Sequence, residues 1–563
     1  MTERLLLSGD EAVALGALHA GVRLGTGYPG TPSTEILEEF DRLGGRAQWS
    51  PNEKVALEVG IGSAFGGART LVTMKHVGLN VAADALFTAT YTDVEGGLVI
   101  VSADDPGMAS SQNEQDNRHF ARAAGAPMLE PSCSQEAYDF TRLAFDLSER
   151  WKIPVILRLT TRICHAKTVI TPQPPVQGLR EPSFRRDIPA RVMIPAFAKP
   201  AHHRLRAKLA AIAEWNEAQG PLRIDEPERA ADSPAKAGSP QGRQGRAPLG
   251  IVASGVAAVH AREAAPDARQ LTIGLTWPLP LERIRAFADG VDRLLVIEEG
   301  DPLLVESLRG AGIGAEGKPE MYRFGELNVA RVRRIIAGDR TPEPAPPVGK
   351  PPELCPGCSH RGVFEVLRDL DCIVAGDIGC YTLGVLPPFS AMDTCVCMGA
   401  SIGVGLGLRH ILPEEQARRV VSVIGDSTFV HSGLTGLAEM VYNPPPTGHV
   451  VLIVDNGTTA MTGQQEHPGT GRALDRSPTE QIRFEVVAEA MGVQNIHIVD
   501  APRSGQTGAQ QLEQLLRTLL AKSETSLVIA REPCVLAAPK IRLYEKAAAE
   551  LRQPSSCAAD IAD

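Results

Sequence analysis

The sequence predicts an α/β protein in which two domains with doubly wound parallel sheets flank a smaller α/β domain. Short apolar runs typical of buried strands alternate with stretches of helical spacing along most of the chain. Two polar, Pro-rich segments, at residues 225–247 and 341–352, interrupt this alternation. With 563 residues, 43% of them hydrophobic, the chain is long enough for about three domains.

The expected segments follow from these interruptions. In chain order they are a first α/β domain (1–190), a connecting segment with a flexible linker (191–248), a smaller α/β domain (249–340), a third α/β domain (353–545) and a disordered tail (546–563). In the middle domain, Glu298 and Glu299 follow an apolar run and are expected at a solvated strand end.

Composition excludes several classes of protein. A net charge of -10 argues against nucleic acid as a partner. The sequence has neither an apolar run long enough for a membrane span nor a signal-peptide pattern, so we expect a cytoplasmic protein with no membrane partner. Ten cysteines are too few for a disulfide scaffold of this length and are expected to be reduced thiols or ligands.

The third domain contains a predicted strand, turn, helix and second strand. The apolar runs at 420–424 and 450–454 have strand character, and residues 433–442 have helical spacing that ends before a Pro-rich stretch. Asp426 follows the first strand, and Asn456 follows the second. Because the carboxyl ends of adjacent parallel strands meet in one crevice, these two side chains are expected to converge there.

The residue types at this crevice suit a metal-bound diphosphate. The oxygens of Asp426 and Asn456 are hard ligands of the kind that Mg²⁺ prefers. The amides and hydroxyls of Ser427 and Thr428, at the start of the helix, suit phosphate oxygens. Together with Gly425 the segment resembles the thiamine diphosphate motif, normally Gly-Asp-Gly followed after a helix by Asn-Asn.

This motif departs from its usual form at two positions. Ser427 replaces the second Gly, and Asp455 replaces the first Asn, whereas the metal-binding Asp and the second Asn are kept. The alternative interpretation is an ordinary Asp at a strand end and a common Asn-Gly turn.

Glu53 is the candidate acid for the other end of the cofactor. Thiamine requires a carboxylic acid beside N1′ of its aminopyrimidine. Glu53 lies between a predicted strand and a Gly/Ala-rich helix, which is the position of that acid in thiamine enzymes. Surface Glu residues without function are common. Only the presence in one chain of both this segment and the diphosphate motif around Asp426 favours the role of Glu53 as the acid.

Further motifs extend the resemblance from about residue 5 to 540. They are YPGTPS (28–33), NEKVA (52–56), MKHVGLN (74–80), SSQNEQ (110–115), CPGCSHR (355–361), GDIGCY (376–381) and TTAMTG (458–463). In combination the sequence resembles the large, alpha subunits of the indolepyruvate ferredoxin oxidoreductases, within the 2-oxoacid:ferredoxin oxidoreductases.

The resemblance implies a thiamine diphosphate-binding fold. The first domain would bind the aminopyrimidine, the third the diphosphate, and the middle, transketolase C-terminal-like domain would be structural. Thr31 would face the substrate carboxylate, and Tyr381 and Thr458 would contact the cofactor, with Thr458 also near Mg²⁺. A small beta subunit and a homodimer of this chain within a heterotetramer are also implied.

Four cysteines are the candidate ligands of a redox centre. The resemblance implies that Cys355, Cys358, Cys380 and Cys534 hold one 4Fe-4S cluster, for which four thiolates are the required ligand set. A structural zinc site or buried free thiols would use the same residues. Cys395 and Cys397 lie in a Gly-rich segment and are left out of the ligand set.

One departure from the resembled family concerns electron transfer. Its alpha subunits normally end in a ferredoxin-like module with two Cys-rich runs, whereas Cys557 is the only cysteine here beyond Cys534. Electrons would then leave through the single cluster to an acceptor protein or carrier, which puts ferredoxin as the acceptor in doubt.

Three further residues have weaker signals. His76 and His431 could steer protons, or could simply be hydrogen-bonded in place. Lys75 could pair with a substrate carboxylate or with CoA phosphates, or could be a surface side chain.

The predicted function is oxidative decarboxylation of 2-oxo acids, with aryl pyruvates as the implied class. Thiamine diphosphate and Mg²⁺ would be the cofactors, CoA would accept the acyl group, and the cluster would carry the electrons. A non-oxidative thiamine decarboxylase or carboligase would need the same Asp426, Asn456 and Glu53 without a cluster. A non-catalytic, cofactor-binding scaffold subunit is the third hypothesis.

Overall fold

The computed structural model describes residues 4–227, 247–344, 349–502 and 508–552, without the side chains of 547–552. The chain forms two compact units, Met1–Ala345 and Pro346–Asp563. Most of the predicted flexible linker and the tail from residue 553 lie outside the described residues. The last helix continues to Arg552, so the start of the predicted disordered tail is helical.

The first unit contains both sheets and helices in alternation. Its strands are β1 (Leu5–Leu7), β2 (Leu24–Gly27), β3 (Ala47–Trp49), β4 (Thr70–Lys75), β5 (Leu98–Asp104), β6 (Met128–Leu129), β7 (Val155–Thr160), β8 (Thr168–Ile170), β9 (Leu222–Asp225), β10 (Ala247–Ser254), β11 (Arg269–Ile273), β12 (Leu275–Trp277) and β13 (Val291–Ile297). Its helices are α1 (Gly9–His19), α2 (Thr34–Arg42), α3 (Glu53–Phe65), α4 (His76–Val81), α5 (Ala83–Ala89), α6 (Arg118–Ala124), α7 (Ser134–Trp151), α8 (Thr161–His165), α9 (Ile188–Arg191), α10 (Pro195–Gln219), α11 (Gly255–Ala264), α12 (Leu281–Asp289), α13 (Leu303–Gly310) and α14 (Val329–Ile336).

The larger sheet of this unit has the order β12-β6-β7-β5-β4-β2-β3. Its central strands β4, β5 and β7 are parallel and fully buried, as expected for a parallel sheet that helices cover on both faces. Side chains of β4, β5 and β7 pack on one face against α3, α5 and α6, while α7 packs against β5 and β7. The edge strand β12 comes from the predicted middle domain and pairs antiparallel with β6.

The smaller sheet has the order β13-β10-β11-β9 and is covered by helices on both faces. Alternate residues of β10 and β13 point to opposite sides. One set packs against α12 and α13, and the other packs against α11 and α14.

Glu298 and Glu299, at the end of β13, are buried, so the prediction of a solvated strand end is wrong. Glu298 Oε2 accepts hydrogen bonds from Arg118 Nη1 (2.7 Å) and from the N–H of Leu304 (2.8 Å) at the start of α13. Glu299 Oε1 accepts from the N–H of Leu327, 2.9 Å away. These contacts join the smaller sheet to α6, which packs on the larger one.

The second unit is a six-stranded parallel sheet among its described residues, in the order β15-β14-β16-β17-β19-β18. Its strands are β14 (Ile373–Gly376), β15 (Thr394–Cys395), β16 (Val420–Gly425), β17 (His449–Asp455), β18 (Asn495–Asp500) and β19 (Thr525–Arg531). Its helices are α15 (Ser359–Asp369), α16 (Ala400–Ile411), α17 (Glu414–Ala417), α18 (Asp426–Thr428), α19 (Leu434–Tyr442), α20 (Phe484–Met491), α21 (Gly508–Ala521) and α22 (Ala538–Arg552).

This sheet is doubly wound, as the sequence predicts. Alternate residues of β16, β17 and β19 pack either against α15 and α21 or against α16, α19 and α20. The helix predicted at 433–442 is longer than expected, because α18 and a π-helical turn at Phe429–Gly433 lead directly into α19. Within the described parts of the chain, every helix is too short or too polar to cross a membrane.

Candidate active site

The loops that follow β16 and β17 meet at Asp426. This residue comes directly after β16, and its Oδ2 accepts a hydrogen bond from the N–H of Gly457, 2.8 Å away, in the loop after β17. Its Oδ1 accepts from the N–H of Ser427 at 2.9 Å. Asn456, adjacent to Gly457, is also buried. The two predicted magnesium ligands therefore lie at the ends of neighbouring parallel strands.

His467 is a neighbour of Asp426 that the sequence analysis missed. Its Nε2 lies 3.2 Å from Asp426 Oδ2, and both side chains are buried. Burial by itself raises the pKa of the Asp426 carboxyl, but His467 and the N–H groups of Ser427 and Gly457 hold that pKa below its ordinary value. Asp426 is therefore ionised at neutral pH, as a magnesium ligand must be.

Asp455, which replaces the usual first Asn of the motif, is paired with Arg531. Arg531 Nε donates to Asp455 Oδ2 at 2.7 Å. Burial and the nearby Asp426 carboxylate raise the pKa of Asp455 to about 6. The replacement therefore adds a carboxyl group beside Asp426, and Arg531 partly compensates its charge.

The predicted diphosphate ligands are held by the same loops. Thr458 donates its N–H to Asn456 Oδ1 (3.1 Å) and its hydroxyl to the carbonyl of Gln465 (3.1 Å), which leaves the hydroxyl oxygen able to accept or to ligate. Ser427 Oγ accepts from the hydroxyl of Thr459 at 2.8 Å.

Tyr381 and Thr428 fasten the loop after β14 to the start of α18. Both hydroxyls donate to the carbonyl of Ile378, at 3.1 Å each. A Cβ at position 425 would lie 2.6 Å from the Tyr381 ring, so the aromatic side chain requires Gly425 at the end of β16. These residues shape the crevice in which Asp426 lies.

The four predicted ligand cysteines line one cavity of about 80 Å³. Cys355 and Cys358 precede α15, Cys380 follows β14, and Cys534 follows β19. The N–H of Cys534 donates to the carbonyl of Asn456 at 2.9 Å, so the cavity adjoins the loop with the predicted magnesium ligand.

The Cys380 thiol is a weak acid in this cavity. Burial, together with the charges of Cys358, Cys534 and Cys355, raises the pKa of the Cys380 thiol to about 12. A metal centre that binds these sulfurs would therefore have to displace their protons.

Glu53, the predicted acid of the first unit, is buried against a glycine. It begins α3, whose N-terminus is capped by Asn52 through a 2.9 Å hydrogen bond from the N–H of Val55. A Cβ on Gly78 of α4 would lie only 2.5 Å from Glu53 Cγ and 2.6 Å from its Oε1. The carboxyl group of Glu53 therefore occupies space that only glycine at position 78 leaves open.

Lys75 lies beside the turn that contains Thr31. It is 8% exposed, so the alternative that Lys75 is a surface side chain is wrong. Its Cβ lies under Gly30, and its Nζ donates to the carbonyl of Ser110 at 2.5 Å. Burial lowers the pKa of the Lys75 ammonium, and the carboxylate of Asp105 opposes that shift. Half-buried Thr31 and a buried cation thus lie at the same edge of the larger sheet.

The two candidate histidines differ in their surroundings. His76 is fully buried at the start of α4, with Nε2 3.1 Å from the carbonyl of Asn113. Burial lowers the pKa of His76, so its ring is neutral at pH 7. His431 lies in the π-helical turn, with Nδ1 2.7 Å from Ser432 Oγ.

Two family models match these regions. The model described as pyruvate flavodoxin/ferredoxin oxidoreductase, thiamine diP-binding, covers residues 15–203, which include Glu53 and Thr31. The model described as thiamine pyrophosphate enzyme, C-terminal TPP binding domain, covers residues 377–530, which include Asp426 and Asn456. Together they confirm the predicted thiamine diphosphate-binding fold.

Curated relatives match almost the whole chain. Indolepyruvate oxidoreductase subunit IorA of Archaeoglobus fulgidus is 36% identical over 96% of this chain and 88% of that relative. The subunit of the same name from Methanothermobacter marburgensis is 37% identical over the same shares. The chain belongs to the IorA family. A 2-oxoglutarate synthase subunit KorA from Methanothermobacter marburgensis is 34% identical, but only over 30% of this chain and 48% of its own length.

Membership of the IorA family confirms the predicted class of protein. IorA relatives are subunits of oxidoreductases, and their names imply a complex with a partner subunit. The family models confirm thiamine diphosphate as the cofactor of this fold and 2-oxo acid oxidoreduction as its chemistry.

Proposed function

We propose that this chain is the large subunit of an enzyme that oxidatively decarboxylates 2-oxo acids, with aryl pyruvates as the preferred class. CoA accepts the acyl group, and electrons leave through one 4Fe-4S cluster to an acceptor protein or carrier. A small beta subunit completes the complex, in which two copies of this chain pair. The observation that carries the proposal is the cavity lined by Cys355, Cys358, Cys380 and Cys534, which adjoins the Asn456 loop.

The residues present fit Mg²⁺ and thiamine diphosphate. Asp426, Asn456 and Thr458 would hold Mg²⁺ and through it the diphosphate, and Asp426 is already ionised by its surroundings. Glu53, held in the space left by Gly78, would hold a proton at N1′ of the aminopyrimidine. When bound, thiamine diphosphate supplies the electron sink for the carbon that loses CO₂.

The substrate carboxylate would be bound beside Thr31 and Lys75. A buried ammonium without a carboxylate in direct contact is a strong partner for an anion, because low dielectric strengthens the attraction. Lys75 donates to a neutral carbonyl, and Asp105 is engaged by the N–H of Ser110 and by the hydroxyl of Ser111. This arrangement supports recognition of the acid group, while the aryl preference rests on the names of the relatives.

The test is the iron and acid-labile sulfide content of anaerobically purified protein, with visible spectra before and after an aryl pyruvate and CoA are added. About four irons per chain, with absorbance bleached by the two substrates, are expected. Cys358→Ser should lose iron, whereas Cys397→Ser, at an exposed cysteine, should keep it. Thiamine diphosphate bound without iron, and aldehyde released without an electron acceptor, would instead establish a non-oxidative decarboxylase.

A further inference from the structure

His360 is a buried histidine whose ring has no hydrogen-bond partner among the described residues. It is the second residue of α15, and only 3% of it is exposed. Neither Nδ1 nor Nε2 is within hydrogen-bonding distance of a protein group. Because buried polar groups are almost always paired in folded proteins, a ring with two unpaired nitrogens indicates a partner that the protein does not supply.

The ring lies near both parts of the proposed cofactor site of the second unit, the cysteine cavity and the loop that begins at Asp426. It lines the cavity of the four cysteines, and it contacts Tyr381 edge-on with ring centroids 6.0 Å apart. Tyr381 in turn packs against Gly425, which directly precedes Asp426. An imidazole ring carries at least one N–H in either protonation state, so His360 can donate a hydrogen bond to a ligand bound beside Asp426.

The protein groups around the ring are already engaged. Both oxygens of Asp426 accept hydrogen bonds from other groups. On the cluster side, the backbone N–H of His360 already donates to the sulfur of Cys358. Neither neighbour therefore pairs with the ring nitrogens, and both nitrogens stay available to a bound ligand.

We propose that His360 is a positioning residue that donates a ring N–H to a diphosphate oxygen of bound thiamine diphosphate. This inference rests on the proposed function, since it requires the diphosphate beside Asp426. In this role the His360 ring orients the cofactor between the loop that begins at Asp426 and the cavity of the four cysteines. A hydrogen bond to a charged phosphate in a buried site accounts for both the burial and the missing protein partner.

The test is the affinity of the full-length chain for thiamine diphosphate at saturating Mg²⁺, measured by calorimetry after the cofactor has been removed by chelation. His360→Phe should weaken binding by at least about tenfold, the usual effect of losing a hydrogen bond to a charged group. His360→Gln, which keeps an N–H donor, should recover most of the affinity. His410→Phe, at an exposed histidine of the same unit, is the matched control and should bind as wild type.

Iron content and the midpoint potential of the cluster are measured on the same samples. Unchanged affinity in His360→Phe overturns the inference, whether or not the potential shifts, because the ring would then serve the cluster or only the packing. If His360→Phe does not fold, His360→Asn carries the test: its shorter donor should lose affinity where His360→Gln keeps it, and equal affinities would overturn the inference. A wild-type chain that binds no thiamine diphosphate would refute the proposed function itself.

Discussion

Gly78→Ala tests whether the position of the Glu53 carboxyl controls turnover. The new Cβ would lie 2.6 Å from Glu53 Oε1, whereas ordinary contacts begin at 3.4 Å. The carboxyl group must therefore retreat by about 0.8 Å, the difference between the two distances. The new Cβ would also lie 2.5 Å from Glu53 Cγ, so the whole side chain must turn aside, and a thermal melt of the variant checks that folding is retained.

The expected loss is in turnover rather than in cofactor affinity. A misplacement of about 1 Å costs on the order of 100-fold in rate, so we expect kcat to fall by about 10- to 100-fold. Thiamine diphosphate affinity should change little, because the proposed diphosphate contacts belong to the second unit. The assay is 2-oxo acid-dependent reduction of an artificial dye at saturating cofactor, with calorimetry for binding.

Gly62→Ala is the matched control. Gly62 lies in α3, the same helix as Glu53, and an added Cβ there would meet no atom within 4 Å. Both substitutions replace a helical glycine and should raise helix propensity similarly. If Gly78→Ala turns over as fast as Gly62→Ala, Glu53 is not the acid whose position matters, and the reasoning is refuted.

Three other substitutions test separate parts of the structure. Glu53→Gln should lower kcat by at least about 100-fold while thiamine diphosphate still binds in calorimetry, and near-normal turnover would count against its role as the acid. Asp426→Ala should abolish Mg²⁺-dependent cofactor binding; a retained affinity would mean that the diphosphate binds elsewhere. Burial raises the pKa of the Glu299 carboxyl in the folded protein to about 7. The contribution of Glu299 to folding is therefore most favourable at pH values below the ordinary pKa of a glutamate, and the free energy of unfolding falls as the pH rises through 7. Glu299→Gln should therefore melt at a higher temperature than wild type at pH 8 and gain less at pH 5; equal gains at both would show that titration of Glu299 is not involved.

Local sequence predicted the framework of the site well. The strands that precede Asp426 and Asn456 are runs of β-branched residues, and a fully buried parallel strand leaves little alternative for such runs. A residue directly after a parallel strand has a fixed place at the edge of the sheet, so the positions of these side chains follow from the strands.

Contacts between distant parts of the chain could not be predicted in this way. Glu298 follows an apolar run and looks like a solvated strand end, yet Arg118, 180 positions earlier, pairs with it. His467 reaches Asp426 from a loop with no spacing that links the two. Lys75 is buried by packing under Gly30, which depends on how two separate turns meet. In each case the decisive neighbour comes from tertiary packing, which a local pattern does not contain.

The edge strand β12 has a practical consequence for dissecting this protein. The family match to the first domain ends at residue 203, but the sheet of that domain is completed by Leu275–Trp277. A chain cut at 203 would expose the edge of β6 as a template for intermolecular pairing. It would also leave Arg118 without Glu298, one of its buried counter-charges. The family match therefore ends, at residue 203, before the end of the unit that folds together. We expect a fragment that ends at residue 203 to aggregate when it is expressed alone.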